Sequence, residues 1–354
     1  MDNLSTQEFI NQHVGTLALQ QSLVNFGQLR NQEFVEPIDL FGGWLHEGSA
    51  TLLHGATGLG KSRFAMSLAC CVAGGGQFAG WSTPSDTGKN VLYIDGEMGF
   101  HSLRDMANQL GQAVGADLDQ LTKRLQFISV PDASDKLKDF NLGDKGFQGL
   151  VLDLIDKHDI DLVIVDNIRT LVYMDDENTK EGWQPLNDWV IKLRTFSTVI
   201  LVHHDNRQGG FSGSGHASTI MDYRIQLNEH NATHALRGAG CAFTVDFEKV
   251  RRSRTVAHGT RAIGLHPTEG WLMQNDRQTE FNKVHDAAIS GRYTTQRELA
   301  NACGINAPKL NKLLTDYDPD GAVKTALNIA KHGEPVEPTE VDADFTALDS
   351  FFDG

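Results

Sequence analysis

Short apolar runs alternate along most of this chain with stretches whose apolar residues recur every three or four positions. That alternation is the pattern of strands feeding helices in an α/β fold with a mostly parallel sheet. Runs at 50–53, 91–94, 125–130, 162–165 and 198–202 are mostly apolar, as expected of strands covered on both faces. Helical spacing follows the first run up to Gly74-Gly75-Gly76. It returns over 101–114, where Leu103, Met106, Leu110 and Val114 share one side, and again over about 145–158 and 183–196. From 221 to 273 the segments MDYRIQL, AFTVDFEKV, RAIGL and GWLM are separated by turns, which predicts an antiparallel extension of the sheet. Residues 1–33 carry Phe9, Val14, Leu17, Leu19, Leu23, Phe26 and Leu29 at helical spacing. They predict a helix or two, either packed on the protein's own core or reaching as an arm to a neighbouring subunit. The expected organisation is an arm over 1–33, a main α/β domain over 34–274, a helical element over 275–330 and a tail over 331–354.

Charge sharpens the picture of the tail. The 354 residues carry a formal charge of -15, which argues against a protein that coats nucleic acid with a broad basic surface. About half of that excess lies after Lys331, in Glu334, Glu337, Glu340, Asp342, Asp344, Asp349 and Asp353. Any nucleic-acid site is therefore expected as a local lining. The opening MDNLSTQEFINQHV has neither a basic start nor an apolar run, and no stretch has the length of a membrane span, so a cytoplasmic protein with no membrane partner is expected. Cys70, Cys71, Cys241 and Cys303 have neither zinc-site nor disulfide-framework spacing, and are expected as reduced core residues.

The stretch ATLLHGATGLGKSRFAMS, residues 50–67, organises the chemistry: a strand, a glycine turn and the start of a helix. Gly55, Gly58 and Gly60 let consecutive N–H groups point into one concavity faced by the positive end of the helix dipole. Gly55, Ala56, Thr57, Gly58, Leu59, Gly60, Lys61 and Ser62 form the complete P-loop pattern, with Arg63 directly after it. Lys61 is placed to reach the β- and γ-phosphates of ATP, and the Ser62 hydroxyl to complete the shell of Mg²⁺.

Three later strands end in polar residues, where parallel sheets place their ligands. VLYIDGE ends in Asp95 and Glu97, two apart and so on one face while strand geometry holds. DLVIVD ends in Asp166, placed to hold Mg²⁺ through water as a Walker B acid. STVILVHH ends in His203 and His204, either structural histidines or a sensor of the γ-phosphate. The glycine- and serine-rich RQGGFSGSGHAS follows, either as an ordinary surface loop or as one that moves with nucleotide state and touches DNA through Arg207, Gln208 and Phe211. Arg224, Lys249, Arg251, Arg252 and Arg254 form a later basic group, either solvated strand-edge charges or the source of an arginine lent to a neighbour's ATP site.

The ordered set of P-loop, Glu97, Asp166 with IRTL, and VILVHH with its glycine-rich loop resembles the RecA-like ATPase core. More narrowly it is similar to the RepA-type hexameric replicative DNA helicases of plasmids and phages, over roughly residues 40–273. The resemblance implies a twisted, mostly parallel sheet flanked by helices, with ATP and Mg²⁺ held between subunits of a homo-oligomeric, hexameric ring on single-stranded DNA. It makes Lys61 and Ser62 the P-loop lysine and metal-binding serine, Glu97 the residue polarising the attacking water, and Asp166 the Walker B aspartate. It places His203 and His204 at the family's strand-end histidines, Arg104 at a nucleotide-binding basic residue and Arg224 near the arginine finger, with Arg252 or Arg254 as alternatives. Two other functions remain open: a RecA-like recombinase or recombination mediator, and an ATP-switched DNA-binding regulator or helicase loader.

Beyond Asn275, YTTQRELANACGINAPKLNKLL spaces Ala300, Gly304 and Leu310 as a helix-turn-helix, with Thr295 as N-cap and Arg292, Arg297, Lys309 and Lys312 making it locally basic. It serves either DNA contact or packing and partner binding. The acidic tail is expected to be disordered in isolation. Its Phe345, Leu348, Phe351 and Phe352 suit either a short helix docking on a replisome partner or a solubilising end.

Overall fold

The computed structural model describes residues 16–84, 88–133, 137, 139–174, 179–205, 219–230, 236, 238–251, 260–274, 276–318 and 320–332. Arg207, Gln208, Phe211, Arg252, Arg254, Phe9, Val14 and nearly all of the acidic tail lie outside the described residues.

Residues up to Ile38 form a unit of their own. Within it 16–22 (α1) and Phe26–Arg30 (α2) are helical, the second started by a capping box between Asn25 and Gln28. Leu17, Leu19, Leu23, Phe26 and Leu29 are all exposed, so the described part of the arm builds no core of its own.

The second unit begins at Asp39 with a small hairpin, β1 (Asp39–Phe41) and β2 (Leu45–His46). There follow β3 (Ala50–Gly55), α3 (Lys61–Gly74), a second hairpin of β4 (Gln77–Phe78) and β5 (Trp81–Ser82), then β6 (Val91–Asp95). Next come α4 (Gly99–Ala113), α5 (Leu118–Arg124), β7 (Leu125–Ser129), α6 (Lys145–Lys157), β8 (Leu162–Asp166), α7 (Ile168–Leu171), α8 (Lys180–Leu193) and β9 (Thr198–His204). Strands β10 (Tyr223–Glu229), β11 (Cys241–Val250), β12 (Arg261–His266) and β13 (Gly270–Gln274) finish the sheet. Helices α9 (Asp276–Ile289), α10 (Gln296–Ala302), α11 (Ala307–Tyr317) and α12 (Ala322–His332) form a separate small core around Val284, Leu299, Leu310, Leu313 and Leu327.

The nine-stranded sheet has the order β13-β12-β11-β10-β3-β9-β8-β6-β7. Strands β10, β3, β9, β8, β6 and β7 are parallel, and β11, β12 and β13 continue antiparallel. The expected antiparallel extension therefore starts one strand later than the turn pattern suggested: MDYRIQL pairs parallel with β3, from Tyr223 opposite Thr51 to Leu227 opposite Gly55.

Alternation across the sheet makes two cores. Leu162 and Ile164 of β8 pack on the α3 side, while Val163 and Val165 pack with Trp183, Leu186 and Val190 of α8 on the other. Val199, Ile200, Leu201 and Val202 of β9 are fully buried, each such side chain worth about 1.5–3 kcal/mol of transfer free energy. This strand is wedged between β3 and β8, so the P-loop and the Asp166 strand face one another across it. Cys70 and Cys71 are buried as expected, whereas Cys241 and Cys303 are half-buried; all four are free thiols. Among the described residues no helix is long and apolar enough to cross a membrane.

Candidate functional site

The P-loop hangs from the end of β3. Gly58 and Gly60 have φ of 83° and 105°, a region that a side chain strains. At Gly55 a Cβ would lie 2.5 Å from the Leu227 carbonyl oxygen. Gly60 is the N-cap of α3 and offers no side-chain acceptor, so the first N–H groups of that helix are left for an anion. Lys61 is 3% exposed, and its Nζ donates to the carbonyls of Gly55 and Ala56, both at 2.8 Å.

Burial lowers the Lys61 pKa to about 8, against the pull of the Asp205, Asp166 and Glu97 carboxylates. A bound triphosphate stabilises the charged form, so binding takes up a proton wherever free Lys61 is neutral. Affinity for a non-hydrolysable ATP analogue is accordingly complete below about pH 8 and falls by up to about tenfold per pH unit above it. Isothermal titration from about pH 7 to about pH 9.5 reads this directly, and a flat profile would contradict it. Lys61→Ala is expected to flatten it.

Of the carboxylates acting on the lysine, Asp166 and Glu97 also act on a further one, Asp95. Asp166 is buried at the end of β8, accepts from Tyr93 Oη at 2.5 Å and is hydrogen-bonded by Ser62. Burial raises its pKa, the Tyr93 and Ser62 hydrogen bonds oppose that, and the Asp95 and Glu97 charges add to it. Asp95 does not share a face with Glu97. The strand ends at Asp95, whose Oδ2 accepts from the N–H groups of Met98 and Gly99 where α4 begins, and whose buried Oδ1 has no hydrogen-bond partner among the described residues. Glu97 emerges beyond the turn with its side chain 51% exposed.

Glu97 is tied to the P-loop through two intermediaries. Asn167 Nδ2 donates to Glu97 Oε1 at 2.8 Å and to His204 Nε2 at 3.0 Å. With Nε2 accepting, the ring proton sits on Nδ1, 3.4 Å from Thr57 Oγ1. Burial lowers the His204 pKa, the positive charge of Lys61 lowers it further, and Glu97 pulls the other way, so the ring is neutral near pH 7. Arg169, on α7, is a further cation acting on His204. Neither Asn167 nor Arg169 was singled out from the sequence.

Residues 16–210, more than half of the chain, match the family model described as the AAA domain. The chain belongs to the AAA domain family. Among solved structures it is similar to a KaiC-like protein from the hyperthermophilic archaeon Pyrococcus horikoshii OT3, at 17% identity, with 68% of this chain and 100% of that one covered and a TM-score of 0.46. No curated protein matches it.

The parallel sheet with its P-loop makes the AAA domain of this chain a RecA-like P-loop ATPase core. Its donors suit a nucleoside triphosphate with Mg²⁺. The uncapped helix end and buried Lys61 suit phosphates; the Ser62 hydroxyl and the Asp166 carboxylate, destabilised by its acidic neighbours, suit a hard cation. Among the described residues no three His, Cys, Asp or Glu side chains form a group that could hold a metal ion by themselves. A bound Mg²⁺ would neutralise charge on the phosphates.

The remaining expected site residues separate by position. His203 is buried and meets Trp183 edge to face at 5.7 Å, on the opposite side of β9 from His204. Leu59 packs on the core, and Arg63 is exposed on the first turn of α3. Arg104 is not brought to the P-loop. It lies on the exposed side of α4, paired with Asp105 at 2.8 Å, and lines a cavity of about 610 Å³ with Phe100, Leu118 and Phe127. Arg224 faces Leu52, not the loop end of β3, and pairs with Glu248 at 2.5 Å. Glu248 also bonds the buried His54 at 3.0 Å, whose other nitrogen meets Asp205 at 2.8 Å.

Proposed function

We propose that this protein is an ATP-dependent DNA helicase or translocase of the RepA type, hydrolysing ATP at subunit interfaces of a homo-oligomeric, hexameric ring and moving on single-stranded DNA in replication. The observation that carries this reading is the position of His204. It touches Thr57 of the P-loop and, through Asn167, the candidate base Glu97, and it ends the strand from which the glycine-rich segment carrying Arg207, Gln208 and Phe211 departs. A change at the γ-phosphate is thus delivered to the base of a DNA-touching segment. Glu97 orients the attacking water, Lys61 and Mg²⁺ neutralise the phosphates, and an arginine from the next subunit makes turnover depend on contact between subunits. The candidates for that finger are Arg224, Arg252 and Arg254 of the neighbouring copy, Arg224 being paired with Glu248 in its own chain. The exposed apolar residues of the arm supply a surface for such a contact. The tail's aromatic residues belong to a replisome partner in this scheme.

The test is ATP turnover with and without single-stranded DNA, particle size with ATP by native mass spectrometry, and unwinding of a forked duplex. The expected results are DNA-stimulated turnover, a closed six-subunit species, and unwinding that disappears in Glu97→Gln. Open polymers would favour a recombinase or mediator instead. A monomer or dimer with slow turnover would favour an ATP-switched regulator or helicase loader, a reading supported by the helix-turn-helix arrangement of α10 and α11.

A further inference from the structure

None of the nucleotide-site residues described above lies on the C-terminal helices, which pack around a core of their own. Thr295 caps α10 through the N–H of Glu298, a turn through Gly304 at φ 67° follows, and Asn306 caps α11 through the N–H of Lys309. Leu310, Leu313, Leu314 and Tyr317 make one stripe of α11, turned into the small core. The opposite stripe, Pro308, Asn311, Lys312 and Thr315, is exposed. It bears no large apolar side chain of the kind that anchors a protein partner. From 307 to 315 the helix carries no carboxylate.

We propose that α10 and α11 form a second nucleic-acid site, specific for double-stranded DNA, with the first two turns of α11 in the major groove. The exposed chemistry is that of base and phosphate recognition: an amide for an adenine edge, an ammonium for guanine or phosphate, and a hydroxyl. Arg292 and Arg297, exposed before and on α10, lie where the first helix of such a pair crosses the phosphate backbone. Lys309 is engaged by Glu280 at 2.5 Å, so Lys312 is the lysine offered by α11. Charge distribution agrees. Residues 276–332 hold eight Lys and Arg against seven Asp and Glu in a chain of net charge -15, so this element escapes the acidic excess. Duplex is favoured over single strands because a rigid helix stripe without an exposed aromatic reads a groove and offers nothing for unpaired bases to stack on.

The experiment uses the full chain and fluorescence anisotropy, with a random-sequence duplex of roughly forty base pairs and an oligo-dT of equal length as probes. Lys312→Ala and Arg297→Ala are each expected to weaken duplex binding about tenfold and to lower the log–log salt slope by about 0.9 per lost phosphate contact. Asn311→Ala is expected to flatten the sequences enriched from the random pool. Oligo-dT affinity and DNA-stimulated ATP turnover should stay at the wild-type level in all three. Duplex affinity and salt slope unchanged in every variant would overturn the inference, as would duplex binding abolished by saturating oligo-dT, which would assign both to one site. Loss of the helicase reading leaves this one standing, because duplex binding is read without turnover.

Discussion

Glu97→Gln is expected to lower ATP turnover by about 10³-fold while nucleotide affinity stays within a few-fold of wild type. Glutamine is isosteric and its amide oxygen still accepts the Asn167 bond now made at 2.8 Å, so the link to His204 and Thr57 survives. What disappears is a carboxylate that is half-exposed, and so able to meet a water, whereas Asp95 and Asp166 are buried. Stability should change by less than about 1 kcal/mol, because the buried Asn167 keeps an acceptor for its amide. Steady-state turnover and analogue binding measured on the same preparation separate the two effects. A variant that kept a tenth of wild-type turnover would remove Glu97 from the role of base.

Gly96→Ala should cost about 2–3 kcal/mol of folding stability and most of the activity together. Gly96 turns the chain between Asp95 and Glu97, and its N–H donates to the Asp166 carbonyl at 2.9 Å. A Cβ there would lie 2.1 Å from Thr170 Oγ1 and 2.9 Å from Leu171 Cγ, and Leu171 is fully buried. Relief requires α7 to move, and Asn167 goes with it because Thr170 bonds Asn167 through both its N–H and its hydroxyl. Chemical denaturation measures the stability term. Adding Thr170→Ala removes the closest atom and should restore part of the loss; an unchanged midpoint in the single variant would show that α7 yields freely.

Elements defined by their own residues were legible before the structure. Apolar runs ending in Asp95, Asp166 and His204, the glycines of the P-loop, and the Thr295 and Gly304 punctuation all act within a few residues, and each lies where its pattern implies. What escaped depends on partners distant in sequence. Asn167 looks from its neighbours like a helix N-cap, and its Oδ1 does cap α7; its Nδ2 meets Glu97 and His204, which arrive from two other strands. Arg104 sits close to Glu97 in sequence, but α4 starts at Gly99 and carries it to an exposed face. MDYRIQL alternates like an antiparallel strand, and only its return beside β3 makes it parallel. His54 belongs with what escaped, because the carboxylates that clamp it, Glu248 on β11 and Asp205 just past β9, are distant in sequence.

Strand β3 is laddered along both edges, to β9 from Ala50 through Gly55 and to β10 from Thr51 through Gly55. The ground beneath the phosphates therefore behaves as an anvil rather than a hinge, since shifting it means tearing two rows of backbone bonds at once. Any displacement that answers a change at the phosphates has to leave by whatever projects past the strand tips, with the floor itself standing still.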